Sequence, residues 1–321
     1  MTRAPLKNAN VLITGGAGFI GSHLTDALLR AGVKKAVVLD NLFVGNIENI
    51  DAALKEGAVF IKDDAEIEGT LEYIVREYEI DTVFNCATKA LNYSFINAVN
   101  AYMTNVNIIK NLLELQRQGA YKTLCHFSSS EAYGSAVYEP MDEQHPFCPT
   151  TTYAAGKAAA DLMLSTYVNQ FGLDAFIVRP FNNYGPRQNY EGPLAGVIPL
   201  TARRILAGEP PEIHGTGEQS RDFVFVLDTV DAVIKLYEKL PKGEAVNIST
   251  HGQITVRSLI GKITEYMGYT GDVLHKEARG ADVFCHNASN EKLKKLIDFA
   301  PTPFAEGLAK TLDWYRENIK V

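Results

Sequence analysis

Along the first half of the chain, short apolar runs alternate with longer stretches in which apolar residues recur at helical spacing. Runs at residues 11–13, 36–39, 58–61, 83–87, 121–127 and 175–178 are too short for helices and are edged mainly by polar or turn-forming residues, so they read as buried strands. Between them, Ile20, Leu24, Ala27 and Leu28 mark one face of a helix that Gly32 stops, and helical patterns cover a polar stretch from Ile47, residues 93–118 and residues 153–171. Strands alternating with helices predict an α/β fold, a doubly wound parallel sheet of the Rossmann type. Beyond residue 180 Pro and Gly become frequent. A helical run at 196–207 gives way to a loop at 208–219, a short apolar strand at 223–226, a further strand of the main sheet at 246–248, and helical patterns at 255–267, 290–297 and 305–318. The expected division is a regular unit, residues 1–180 with 224–252, and a smaller C-terminal lobe, residues 181–223 with 253–321.

Chemistry enters at the first strand-to-helix turn. Gly16, Gly18 and Gly21 form G-x-G-x-x-G directly after one strand and at the start of a helix. Such a turn lets a pyrophosphate approach the backbone at Gly15, Gly18, Phe19 and Ile20, against the positive end of the helix. The second strand ends in Asp40, followed by Asn41, about 20 residues past the glycines, where an acid suits the 2′- and 3′-hydroxyls of an adenosine ribose. A carboxylate there repels a 2′-phosphate, so NAD is favoured over NADP. Asp64, after the third strand, is placed to accept from an adenine amine or to serve as an ordinary loop acid. Ala87, past the fourth strand, is small enough to lie against a flat cofactor, and Asn105 either reaches that cofactor or packs.

The fifth strand runs into Ser128-Ser129-Ser130-Glu131, three hydroxyls and a carboxylate at the sheet end where ligands bind in such folds. By itself this is equally a hydroxyl-rich turn that satisfies its own backbone. Tyr153 and Lys157 stand at i and i+4, on one face of a helix, where an ammonium favours a phenolate.

A net charge of −7 over 321 residues argues against nucleic-acid or anionic-membrane partners, so a phosphate ligand must be held by local groups. Cys86, Cys125, Cys148 and Cys285 form no C-x-x-C pair and read as reduced thiols, and no metal site is expected. The N-terminal residues lack the apolar core of a signal peptide and no apolar run approaches ~18 residues, so a cytoplasmic location is expected.

Taken together, these residues resemble the extended short-chain dehydrogenase/reductase family of nucleotide-sugar enzymes. The resemblance runs from Thr14-Gly15-Gly16-Ala17-Gly18-Phe19-Ile20-Gly21 and Asp40-Asn41, through Ser129, Tyr153 and Lys157, to Arg179-Pro180-Phe181-Asn182 with Tyr184-Gly185-Pro186-Arg187. It ends with Gly217, Gln219, Arg221-Asp222-Phe223, and Arg279 with Asp282. It implies that Tyr153 takes the proton of a sugar hydroxyl while NAD accepts the hydride. Lys157 then binds the nicotinamide ribose, and Ser129 bonds the same sugar oxygen as Tyr153. Asn182, Arg221 and Arg279 hold the nucleotide diphosphate of a UDP-sugar, His214 stands where the family often has an aromatic against the base, and Val197 is a further substrate-binding position. Lys89, Asn92 and Tyr93 follow strand four, where the family lines its sugar pocket, and they are unusual there. A homodimer is implied, pairing the helices at 93–118 and 153–171.

Oxidation at C4 leads onward to epimerisation, decarboxylation or, after loss of the acidified C5 proton, dehydration. Ser129-Ser130-Glu131 looks like the Thr-Ser-Glu of the dehydratases, with Glu131 as the C5 base and Ser130 assisting departure of the C6 hydroxyl. The chain as a whole looks close to UDP-N-acetylglucosamine 5,6-dehydratases. The alternatives are a 4,6-dehydratase, a UDP-glucuronate decarboxylase, a 4-epimerase and, in a different class, a non-catalytic NAD-sensing regulator. The last typically lacks the Tyr-Lys pair that is present here.

Overall fold

The structure, a computed structural model, describes residues 3–277 and 287–320. It begins with β1 (Asn10–Thr14), α1 (Phe19–Arg30), β2 (Lys35–Asp40), α2 (Asp51–Lys55), β3 (Val59–Lys62) and α3 (Glu68–Glu77). There follow β4 (Thr82–Asn85), α4 (Ala98–Arg117), β5 (Thr123–Phe127), α5 (Thr152–Phe171) and β6 (Asp174–Pro180). With the Ala245–Ile248 strand they form one parallel sheet, ordered Ala245–Ile248, β6, β5, β4, β1, β2, β3. The doubly wound architecture expected from the alternation is present. The order reverses between β1 and β4, which opens a crevice at the carboxyl ends of those strands.

Successive side chains of a strand face opposite sides, and the two layers of the core follow from that. Val11, Ile13, Val38 and Phe84 join one cluster, while Leu12, Val37, Leu39 and Val83 join another with Ile109 and Leu112 of α4 and Leu164 and Val168 of α5. A third cluster unites Tyr184, Phe223 and Phe225 with α6 (Val197–Leu206), α8 (Val256–Met267) and α10 (Phe304–Asn318) through Ile198, Leu259, Ile263, Leu308 and Leu312. No described helix is long and apolar enough to cross a membrane.

Three differences from the expected pattern have local causes. The helix expected over 93–118 is split into a 3-10 turn, Leu91–Phe95, and α4, because the Asn97 side chain accepts from the Asn100 amide at 3.0 Å and starts the helix anew. The strand expected over 223–226 ends at Phe225 and continues into α7 (Val226–Leu236), whose Val230, Val233 and Leu236 are buried against the layer containing α1. The loop over 208–219 contains the Glu212–His214 strand, paired with Leu274–Lys276. In addition, α3 buries Leu71, Ile74 and Val75, a helical i, i+3, i+4 stripe in an otherwise polar stretch.

Candidate active site

The cradle at the first turn is built by close approach. Gly15 has φ +67°, and a Cβ there would lie 2.7 Å from the Ala87 backbone. That position therefore demands glycine twice over, for conformation and for space. Asp40 is buried, and its carboxylate accepts from the Ala17 amide at 3.0 Å and the Leu42 amide at 2.8 Å. Burial pushes the carboxyl upward while these bonds favour its charged form. Two bonds leave a carboxylate with acceptor capacity for a vicinal diol. Asn41 donates to Asp64 at 2.9 Å, tying the ends of β2 and β3 together. Gly15, Gly18, Phe19, Ile20, Asp40, Asn41, Asp64, Ala87, Tyr153 and Lys157 all line one cleft of 380 Å³, so this donor and acceptor set fits NAD.

Asn105 lies behind that wall. It is buried, donates to the Ala101 carbonyl oxygen at 3.0 Å and accepts from Thr88 at 2.8 Å. This answers the choice left open for it: Asn105 packs and backs Thr88. Thr88 in turn hydrogen-bonds the Tyr153 phenol, a partnership that nothing in the sequence spacing signals.

Thr151 caps α5 by accepting from the Ala154 amide at 3.2 Å, which places Tyr153 in the first turn. Gly156 lets α5 pack onto α4, since a Cβ there would come within 2.7 Å of the Tyr102 carbonyl oxygen. Burial pushes the Tyr153 phenol up to about 12; hydrogen bonds to Ser129 and Thr88 oppose this, and the Glu131 charge adds to it. Lys157 is 2% exposed and donates to the Phe127 carbonyl oxygen at 2.7 Å. Burial pulls its ammonium down to about 8, against the opposing effect of Asp161 and Cys86. A buried lysine beside a buried tyrosine that is bonded to a serine is a proton-transfer arrangement.

Ser129 also caps the 3-10 turn Ser130–Tyr133, accepting from the Glu131 amide at 3.2 Å. Ser128 goes beyond a strand-end role: its hydroxyl donates to Asp161 Oδ2 at 2.6 Å. Ser130 is buried, as Tyr153 and Lys157 are, in the first position of that turn.

Asn182, Val197, His214 and Arg221 line a second cleft, of 200 Å³, between α6 and the Glu212–His214 strand. Lys89, expected with the substrate, lines the first cleft together with Tyr153, and its ammonium lies 4.0 Å from the Phe43 ring centroid. Arg279 lies outside the described residues. Among the described residues no cluster of His, Cys, Asp and Glu could hold a metal ion.

Comparison with known proteins agrees with this geometry. The sequence pattern of the NAD dependent epimerase/dehydratase family matches residues 11–249. A UDP-glucose 4-epimerase of Mycolicibacterium smegmatis is 32% identical over 95% of this chain and 98% of its own. A solved dTDP-glucose 4,6-dehydratase of Streptomyces venezuelae with NAD bound superimposes with a TM-score of 0.91 at 30% identity, over 96% of this chain and 97% of its own. A UDP-N-acetylglucosamine 4-epimerase of Methanobrevibacter ruminantium, solved with UDP-N-acetylmuramic acid, gives a TM-score of 0.89 at 33% identity, over 98% and 100%. With that coverage, and with a cleft that fits NAD, the chain belongs to the NAD-dependent epimerase/dehydratase family of nucleotide-sugar enzymes.

Proposed function

We propose that the chain is a nucleotide-sugar dehydratase acting on UDP-N-acetylglucosamine by 5,6-elimination. The observation that carries this reading is the placement of Glu131. Its amide is held by Ser129, and its charge acts on the phenol of Tyr153, so oxidation and proton abstraction share one site. NAD bound in the first cleft supplies the acceptor and donor for the hydride at sugar C4. Tyr153 takes the proton of the 4-hydroxyl, with Ser129 orienting that oxygen and Lys157 favouring the phenolate. The C5 proton, acidified by the neighbouring ketone, passes to the Glu131 carboxylate, and the C6 hydroxyl departs as water. The Asn182, Val197, His214 and Arg221 cleft would hold the nucleotide. Hydride return to C4 would restore the 4-hydroxyl and leave a 5,6-ene, whereas return to C6, as in a 4,6-dehydratase, would leave a 4-keto-6-deoxy sugar.

One second reading, 4-epimerisation, which needs no acid for a leaving group, is favoured by the epimerase relatives at 32% and 33% identity. Incubation with UDP-N-acetylglucosamine in D₂O separates the two. Loss of one water without deuterium in the product supports 5,6-elimination, loss of one water with deuterium at C5 assigns the chain to 4,6-dehydration, and inversion at C4 without mass loss overturns elimination. Release of CO₂ from UDP-glucuronate would assign the chain to decarboxylation.

A further inference from the structure

Beneath the catalytic pair runs a chain of buried charged groups that the chemistry above does not use. Tyr153, Lys157 and Asp161 follow one another at i, i+4 and i+8 on one face of α5. Asp161 Oδ2 accepts from Ser128 Oγ at 2.6 Å and from Arg179 Nη2 of β6 at 2.8 Å. Arg179 Nη1 also donates to the Tyr133 phenol, which donates to Asn247 Oδ1 at 2.8 Å. Ser128 and Tyr133 bracket the segment that carries Ser129 and Glu131. One ion pair is thus tied to both ends of that segment and to the helix that carries Tyr153 and Lys157. Both partners are buried, at 1% and 2% exposure, and Asp161 Oδ1, Arg179 Nε and His126 Nε2 lack hydrogen bonds altogether, with His126 Nε2 3.7 Å from Asp161 Oδ1. Well-packed apolar residues often match or exceed a buried ion pair in stability. A buried pair with unmet bonds calls for a role beyond stability.

We propose that Asp161 and Arg179 are positioning residues for catalysis: the pair fixes Ser129 and Glu131 relative to Tyr153, and Asp161 sets its carboxylate one helical turn from Lys157. This rests on Tyr153 and Lys157 performing the oxidation. The titratable groups whose charges act on Lys157, or on which it acts, are Cys86 after β4, His126 of β5 and Asp161 of α5; Asp161 is the carboxylate among them. Without its charge the Lys157 ammonium loses its stabilising neighbour and gives up its proton at lower pH.

The test uses the full chain as Asp161→Asn, Asp161→Glu and the charge-neutral double variant Asp161→Asn/Arg179→Met, which leaves no lone buried charge if the single variant fails to fold. NMR of lysine-labelled protein, assigned with Lys157→Arg, follows the Lys157 titration without any substrate. The midpoint is expected to fall by about half a pH unit or more in Asp161→Asn, and by less in the double variant, where loss of the Arg179 charge works in the opposite direction. Turnover with UDP-N-acetylglucosamine, UDP-glucose and dTDP-glucose is expected to lose about ten-fold in kcat with KM little changed. That deficit should deepen between about pH 6 and about pH 8, with partial rescue in Asp161→Glu. An unchanged Lys157 midpoint, or a folded double variant with the wild-type pH profile, overturns the proposal. Full turnover by Tyr153→Phe would instead overturn the reading of the oxidation itself, and the NMR titration still decides the role of Asp161.

Discussion

The Lys157 ammonium donates to the Phe127 carbonyl oxygen at 2.7 Å, bridging α5 and the end of β5 just before Ser128. The bond sits in a place costly to the charge. Lysine ordinarily titrates at 10.5, and burial brings Lys157 down to about 8. Between those two pH values the unfolded chain binds more protons than the folded one, so stability rises with pH across that window. Below about 8 the buried ammonium costs on the order of 3 kcal/mol. Lys157→Met should therefore melt no lower than wild type at about pH 7 and lose the rise in melting temperature between about 8 and about 10, while turnover drops by at least about 10²-fold. A calorimetric melt at several pH values checks this, and a large fall in melting temperature at neutral pH would show that the Phe127 bond outweighs the buried charge.

Glu131→Gln keeps the size of the side chain and removes the base. Dehydration should fall by about 10²–10⁴-fold while oxidation of the sugar at C4 persists, so reduced cofactor should accumulate in a single turnover. Stopped-flow absorbance of the cofactor alongside mass spectrometry of the sugar separates the two steps. Full dehydration by this variant would remove Glu131 from the role of base.

The parts legible in the sequence were those with a local signature. The glycines at 15, 16, 18 and 21, the acid at 40 and the Tyr153–Lys157 spacing each encode their surroundings within a few residues. Asp161 and Thr88 carry no such mark. Arg179 meets Asp161 from another element, and Thr88 reaches Tyr153 from the far side of the cleft, so sequence separation hides both contacts. The start of α7 was hidden for a different reason. The apolar run from Phe223 to Leu227 crosses from strand to helix with no Gly or Pro between, and a short apolar run does not declare its period. Asn97, by contrast, was readable as a cap and marks where the long helical pattern breaks.

Asp40 lines the first cleft at the end of β2, the place proposed for the ribose, and already accepts from the Ala17 and Leu42 amides. Asp40→Asn keeps an acceptor but loses the charge that strengthens bonds to the ribose diol and repels a phosphate. NAD affinity should weaken by about 10- to 100-fold, and the preference for NAD over NADP should shrink further because repulsion of the 2′-phosphate is gone. Calorimetric titration of stripped protein with each nucleotide measures both. Unchanged discrimination would move the ribose contact away from Asp40.

The last prediction concerns assembly. One face of α4 packs with α5 in the core through Ile109, Leu112 and Leu164, yet the opposite side carries Val99 at 73% and Met103 at 38% exposure, one turn apart, and Leu162 of α5 at 59%. Just before α4, Phe95 and Ile96 are also exposed. Apolar side chains clustered on adjacent helices at this exposure suit burial against a second copy of the same face, related by a two-fold axis. The wild-type chain should therefore sediment as a dimer. Val99→Glu with Met103→Glu would bury four carboxylates at such an interface, two from each copy, and should shift the protein to monomer without changing its far-ultraviolet circular dichroism. Because Tyr102 and Thr104 of the same helix back Gly156 and line the NAD cleft, the monomer should also retain NAD less well. Sedimentation of the wild-type chain as a monomer at micromolar concentration would remove this face from the assembly.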